Sequence, residues 1–185
     1  MNYLSRDRAL VYFGQGAVAV IIAIALVLIS AQNYLLFHGI VELSGIAVSL
    51  AIFLLVWNTR QNITDSFLLL LGISFLFIGG IDLLHTLAYK GMGVFPGNSA
   101  DLPTQLWLAA RYFQGITFFA ASLLIGRRLT RDRTWDFSLS AICCTAFAGI
   151  LLASIFAWQN FPAALSMARD SPHSRSPASI SSRAS

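Results

Sequence analysis

Charge is what this chain has least of. Only 11% of its 185 residues are Asp, Glu, Lys or Arg, too few to solvate the surface of a soluble domain, where charged residues make up about a quarter of the chain. Cysteine is nearly absent, and its two copies, Cys143 and Cys144, are adjacent, which excludes a disulfide framework and a spaced metal site and leaves small packing residues. No phosphate-cradling loop, activated nucleophile or paired-carboxylate site is present, and no internal repeat. What the chain has instead is apolar residues, 57% of the total, gathered in long blocks. That pattern belongs to an all-α integral membrane protein, because backbone polar groups in lipid must be satisfied within each spanning segment. The formal net charge of +4 does not point to nucleic acid, since the basic residues sit in short connections where membrane topology accounts for them.

Five blocks reach the roughly 20 residues a spanning helix needs: about 9–31, 38–57, 66–89, 104–126 and 137–158. The first is too long for a signal peptide, and Ile29-Ser30-Ala31 is a mediocre cleavage site. Trp57, Trp107, Trp135 and Trp158 fall at or near block ends, where indole rings favour the interface. Arg6, Arg8, Arg60, Arg127, Arg128, Arg131 and Arg133 all fall on one side if the segments alternate, and only Lys90 falls in a connection on the other. This asymmetry predicts a cytoplasmic N-terminus.

On the Lys90 side, ionisable residues enter the apolar blocks. Glu42 lies near the outer end of the second, Asp82 and His85 near that of the third, and Arg111 about two turns into the fourth. Asp82, His85 and Tyr89 are spaced i, i+3, i+7 and share a helix face. Gln105, Trp107, Arg111 and Tyr112 open the next block, and a loop containing Gly91, Met92, Gly93, Pro96 and Gly97 joins the two groups and is able to fold over the helix ends as a lid. Ionisable side chains in hydrocarbon usually mark a site, so a sensing pocket is expected here. The competing reading is a structural lock, with Arg111 paired to Asp82 or Glu42 and His85 capping the pair. A metal site from His38, Glu42, Asp82 and His85 lacks a recognised spacing, and haem ligated by His85 with His38 or Met92 is no better supported.

The run Asp82-Leu83-Leu84-His85-Thr86-Leu87-Ala88-Tyr89-Lys90-Gly91-Met92-Gly93-Val94-Phe95, with Thr104-Gln105-Leu106-Trp107 and Arg111-Tyr112, resembles the membrane-associated sensor domain of type three. The resemblance extends to about Pro162, with Asp82, His85, Lys90, Gly91, Met92, Gln105, Trp107 and Arg111 carrying the family pattern. It implies a non-enzymatic sensory input module in the bacterial inner membrane, N-terminal to a histidine kinase or a diguanylate cyclase output domain, homodimeric in the intact parent and receiving an unknown small-molecule signal. It names no cofactor. A small transporter or channel, or a structural membrane subunit, is the alternative reading.

After Pro162 the chain leaves the family pattern for a Ser-, Arg- and Pro-rich tail, 163–185, whose composition predicts disorder. With suitable synonymous codons, the bases for Asp170 to Arg183 read one nucleotide earlier give G-L-T-P-F-K-I-A-S-E-Y-L-I-S, which resembles the family's own continuation. A frameshift between about Pro162 and Arg169, truncating the chain ahead of its output domain, is therefore expected.

Overall fold

The computed structural model describes residues 3–95, 101–129 and 133–161. They form five helices: α1 (Tyr3–Gln32), α2 (Tyr34–Thr59), α3 (Ser66–Ala88), α4 (Asp101–Ser122) and α5 (Arg133–Phe156). Among the described residues there is no strand, only an isolated antiparallel bridge between Asp65 and Arg128. The all-helical membrane architecture expected from the apolar blocks is present. The tail from residue 163, with its expected disorder and frameshift, lies outside the described residues, as do Pro96 and Gly97 of the expected lid.

Two compact units make up the chain, one ending at Val41 and the other beginning at Glu42. In the first, α1 is apolar around its circumference over Leu10–Gln32, as a helix surrounded by lipid is. It stops for a single residue. Asn33 donates its N–H to the carbonyl of Ile29, and its Oδ1 accepts from the Leu36 N–H at 3.0 Å. Asparagine is among the best N-caps because it satisfies such an orphan donor, so α2 starts at Tyr34, one turn ahead of the apolar run.

The second unit is built on α3. Asp65 caps it in extended geometry, with its carboxylate accepting from the Phe67 N–H at 2.8 Å. Leu69, Ile73, Ile78 and Ile81 recur along one buried stripe, which packs against Leu106, Ala109, Ala110 and Phe113 of α4 and Cys144, Ala148 and Ile155 of α5. Phe113, fully buried, stacks on Phe147 at 5.2 Å and meets Phe77 at 5.9 Å between ring centroids, joining the three helices. Of the cysteine pair, only Cys144 enters this core, and Cys143 faces outward.

The second seam of α3 is different in kind. Gly72 and Gly79, seven residues apart, lie against Val56 and Ser49 of α2, also seven apart. A Cβ on Gly79 would stand 3.1 Å from Ser49 Cβ, and one on Gly72 would enter the van der Waals envelope of the Val56 side chain. Missing side chains therefore set how closely these helices approach.

At one end of this unit the α2–α3 and α4–α5 connections are joined by backbone alone. Ser66 N–H donates to the Arg127 carbonyl at 3.0 Å, and Leu129 N–H donates to the Thr64 carbonyl at 3.1 Å. Arg60, Arg127 and Arg128 thus share an end, as the charge asymmetry requires, and Lys90 follows the opposite end of α3.

Four of the five helices, α1, α2, α3 and α5, are long and apolar enough to cross a membrane. α4 falls outside that set because Asp101, Gln105, Arg111 and Gln114 interrupt it. Its 22 residues still extend about 33 Å at 1.5 Å per residue, enough for the hydrocarbon core. Its apolar stripe is turned inward, so polar content in this helix goes with burial in the bundle.

Gly72→Ala is expected to destabilise the bundle by about 1–3 kcal/mol, the usual cost of overpacking, and Gly79→Ala by less. Thermal unfolding of the detergent-solubilised variants measures both, and equal melting temperatures for wild type and Gly72→Ala would remove the seam from the account.

Candidate functional site

Beyond its apolar stripe, α3 carries Asp82, His85 and Thr86 at its other end, at 8%, 6% and 4% exposure. The i, i+3 spacing puts the carboxylate and the imidazole on one face, and packing has turned that face inward. An ionised carboxylate so placed needs a partner.

Arg111 of α4 supplies it. Its Nη2 donates to both carboxylate oxygens of Asp82, at 2.6 and 2.7 Å, while Nη1 donates to Gln114 Oε1 at 2.8 Å. Charge-assisted bonds of this length are the strong ones. They join α3 to α4 across residues far apart in sequence. Arg111 Nε is buried with no hydrogen-bond partner. The guanidinium therefore spends its donors unevenly, two bonds on the carboxylate and one on the amide. Thr86 satisfies itself within α3, its hydroxyl donating to the Asp82 carbonyl at 2.8 Å.

His85 is held from two sides. Its Nδ1 lies 2.8 Å from the Pro103 carbonyl in the first turn of α4. A carbonyl only accepts, so Nδ1 carries the hydrogen and the tautomer follows. The other ring nitrogen, Nε2, faces Glu42 Oε1 at 4.0 Å. In the neutral ring Nε2 is an acceptor opposite a carboxylate, and in the imidazolium it is a cation opposite an anion. One proton thus decides whether this contact is repulsive or attractive. Tyr89 stands edge-on to the imidazole at 6.4 Å and terminates the helix, its N–H donating to the Thr86 carbonyl.

Other residues that the sequence groups with the site are placed elsewhere. Gln105 turns toward the far end of α5, its Nε2 donating to the Phe161 carbonyl at 3.4 Å. Trp107 and Tyr112 are exposed, and Lys90 and Gly91 lie in the exposed turn after α3. Gly91 and Gly93 adopt φ of 106° and 70°, the left-handed backbone that glycine takes without strain, and Met92 N–H closes the turn on the Tyr89 carbonyl. The described part of the expected lid ends with Phe95 stacked on Phe156 of α5 at 6.3 Å. His38, weighed as a metal or haem ligand, lies in the first unit with its ring stacked on Tyr34 at 6.3 Å. Within the second unit, Glu42 and His85 are two donors of the kind zinc accepts, and Asp82 is engaged by Arg111.

Two partners were not legible as site residues. Gln114 is signalled only by its i+3 spacing from Arg111. The Pro103 carbonyl has no side-chain signature and is found only when α3 and α4 are seen together.

Compared with known protein families, residues 29–170 match the model described as a membrane-associated sensor domain, a stretch that includes Glu42, Asp82, His85 and Arg111. No curated protein and no solved structure matches the chain.

The Asp82–Arg111 pair yields a stability test. Asp82→Asn and Arg111→Gln should each lower the melting temperature, and the double variant should be more stable than the two losses added together, by a coupling of about 0.5–3 kcal/mol. Additive losses would show that the contact contributes nothing to joining α3 and α4.

Proposed function

Because the chain belongs to the membrane-associated sensor domain family MASE3, we propose that it is the sensory input module of a bacterial signalling protein, with a histidine kinase or a diguanylate cyclase as the output. The module sits in the inner membrane with its N-terminus cytoplasmic, acts as a homodimer in the intact protein, and performs no catalysis of its own. The site that receives the signal is the outer-leaflet cluster of Glu42, Asp82, His85 and Arg111.

One observation carries this reading: ionisable groups from three helices converge in an apolar bundle. Asp82 has both oxygens bonded, whereas Arg111 keeps a buried Nε without a partner and the His85–Glu42 contact depends on one proton. A small molecule with a hydrogen-bond acceptor would compete for the Arg111 donors, and one that moves the proton at His85 would change how α2 is held to α3. A signal acts only to the extent that it binds one helix arrangement better than another. α3 offers the route outward, since about 25 Å of continuous helix, at 1.5 Å per residue, separates Asp82 from Asp65, where the backbone bridge links the two connections on the basic end. The excess of arginine at that end supports a cytoplasmic placement.

A second reading has an observation of its own. The two-oxygen engagement of Asp82 by Arg111 is what a structural lock requires, and in that role the cluster would hold helices without receiving anything. A small transporter or channel has no comparable support.

The two readings separate in a signalling protein that carries this domain ahead of a kinase or cyclase. His85→Ala is expected to abolish the response while membrane insertion persists. A normal response in that variant would overturn the site, and loss of insertion in Asp82→Asn alone with His85→Ala fully active would establish the lock.

A further inference from the structure

At the basic end of the second unit, far from the Asp82 cluster along α3, there is a cavity of about 330 Å³. That volume is within the range of small-molecule sites. Trp57 from the end of α2, Leu129 from the α4–α5 connection and Phe137 from the start of α5 form its apolar walls, and Arg60, Gln61 and Thr134 bring polar groups to it. Trp57 and Phe137 meet edge to face at 5.2 Å, so the aromatic side is held in place.

Arg60 is the telling residue. Its guanidinium lies 4.4 Å from the centre of the Trp57 ring, and its Nη1 donates to the Trp57 carbonyl at 2.6 Å. Those two contacts orient the group without neutralising it. Among the described residues no carboxylate lies within ion-pair distance of it. Asp65, the nearest acid in sequence, uses its carboxylate to cap α3. A guanidinium has five donor hydrogens in a planar fork, and this one keeps most of them for something other than protein. Among the described residues the two connections at this end carry Arg60, Arg127 and Arg128 against Asp65, with Asp136 in the first turn of α5, so the local field favours an anion.

We propose that this cavity binds a phosphate ester at the membrane boundary, with Arg60 holding the phosphate, Gln61 and Thr134 facing hydroxyls of the esterified alcohol, and Trp57, Leu129 and Phe137 covering its carbon chain. An amphiphilic anion matches a cavity that is apolar on one side and cationic on the other. The position at the end of a spanning helix puts it at headgroup depth, where anionic lipids concentrate and basic pockets take their headgroups. Two sources share this chemistry: an anionic phospholipid and a water-soluble phosphate ester.

The whole chain, purified in mild detergent, is titrated with phosphatidylglycerol or with diacylglycerol, which lacks the phosphate, and the bound lipid counted by native mass spectrometry. One phosphatidylglycerol per chain is expected, held at least about tenfold more tightly than diacylglycerol, the factor that one charge-assisted hydrogen bond supplies. Arg60→Gln should lose that preference. Arg128→Gln, which removes an exposed cation at the same end but outside the cavity lining, should keep it. Displacement of the lipid by glycerol 3-phosphate would assign the cavity to a soluble ester, and its retention would assign it to the lipid. Equal retention of the two lipids by wild-type protein, a result independent of any variant's folding, would overturn the proposal. So would an equal loss of preference in Arg60→Gln and Arg128→Gln, which would reduce the effect to diffuse surface charge.

Discussion

A carboxylate inside a helical bundle in hydrocarbon has to be neutralised, and the pairing of Asp82 with Arg111 is the constraint from which much of this architecture follows. Arg111 has to reach α3 from α4, so α4 cannot be a uniformly apolar span. The helix least suited by composition to lie in lipid is accordingly turned toward its neighbours, with Leu106, Ala109, Ala110 and Phe113 fully buried. Alanine at two consecutive inward positions lets α4 come close enough to α3 for a guanidinium to engage both oxygens of one carboxylate. The cost of unpaired charge in a low-dielectric interior thus fixes the register of two helices.

The same bundle holds a second polar contact of different character. Asp82 and Arg111 are ionised partners whose charges cancel. His85 and Glu42 balance only when a proton is present, and the imidazole is oriented for this by a backbone carbonyl that leaves Nε2 toward α2. A rigid pair and a proton-dependent pair one turn apart on the same helix give α3 one firm attachment and one conditional attachment. Such an arrangement suits an element that must stay folded while its neighbours change position.

Much of the fold was legible in the sequence, because apolar block length is a local property and five blocks became five helices. Within the candidate site, the residue types and their shared end of the helices were legible, and so was Arg111 with Asp82 as one of two pairings. Rotation about the helix axis was not. Gln105, Trp107, Arg111 and Tyr112 are close in sequence, yet Arg111 turns to α3 while Trp107 and Tyr112 are exposed and Gln105 reaches Phe161. That choice is made by the long-range packing of Phe113 against Phe77 and Phe147. The close seam of Gly72 and Gly79 against α2 was hidden for the same reason, since a glycine in an apolar run looks identical whether it faces lipid or another helix.

The bridge between Thr64–Ser66 and Arg127–Leu129 is made from amides and carbonyls, and so it carries no side-chain code. Almost any residue satisfies it, with proline barred at Ser66 and Leu129, the two positions that donate. What it does demand is loop length. Adding or deleting one residue in either connection would slide the donors past their acceptors, whereas substitutions there leave them aligned. In descendants of this chain, these two loops should therefore keep their residue count even where side chains outside the cavity lining and the α3 cap change, an invariance that a comparison of amino-acid identity alone would overlook.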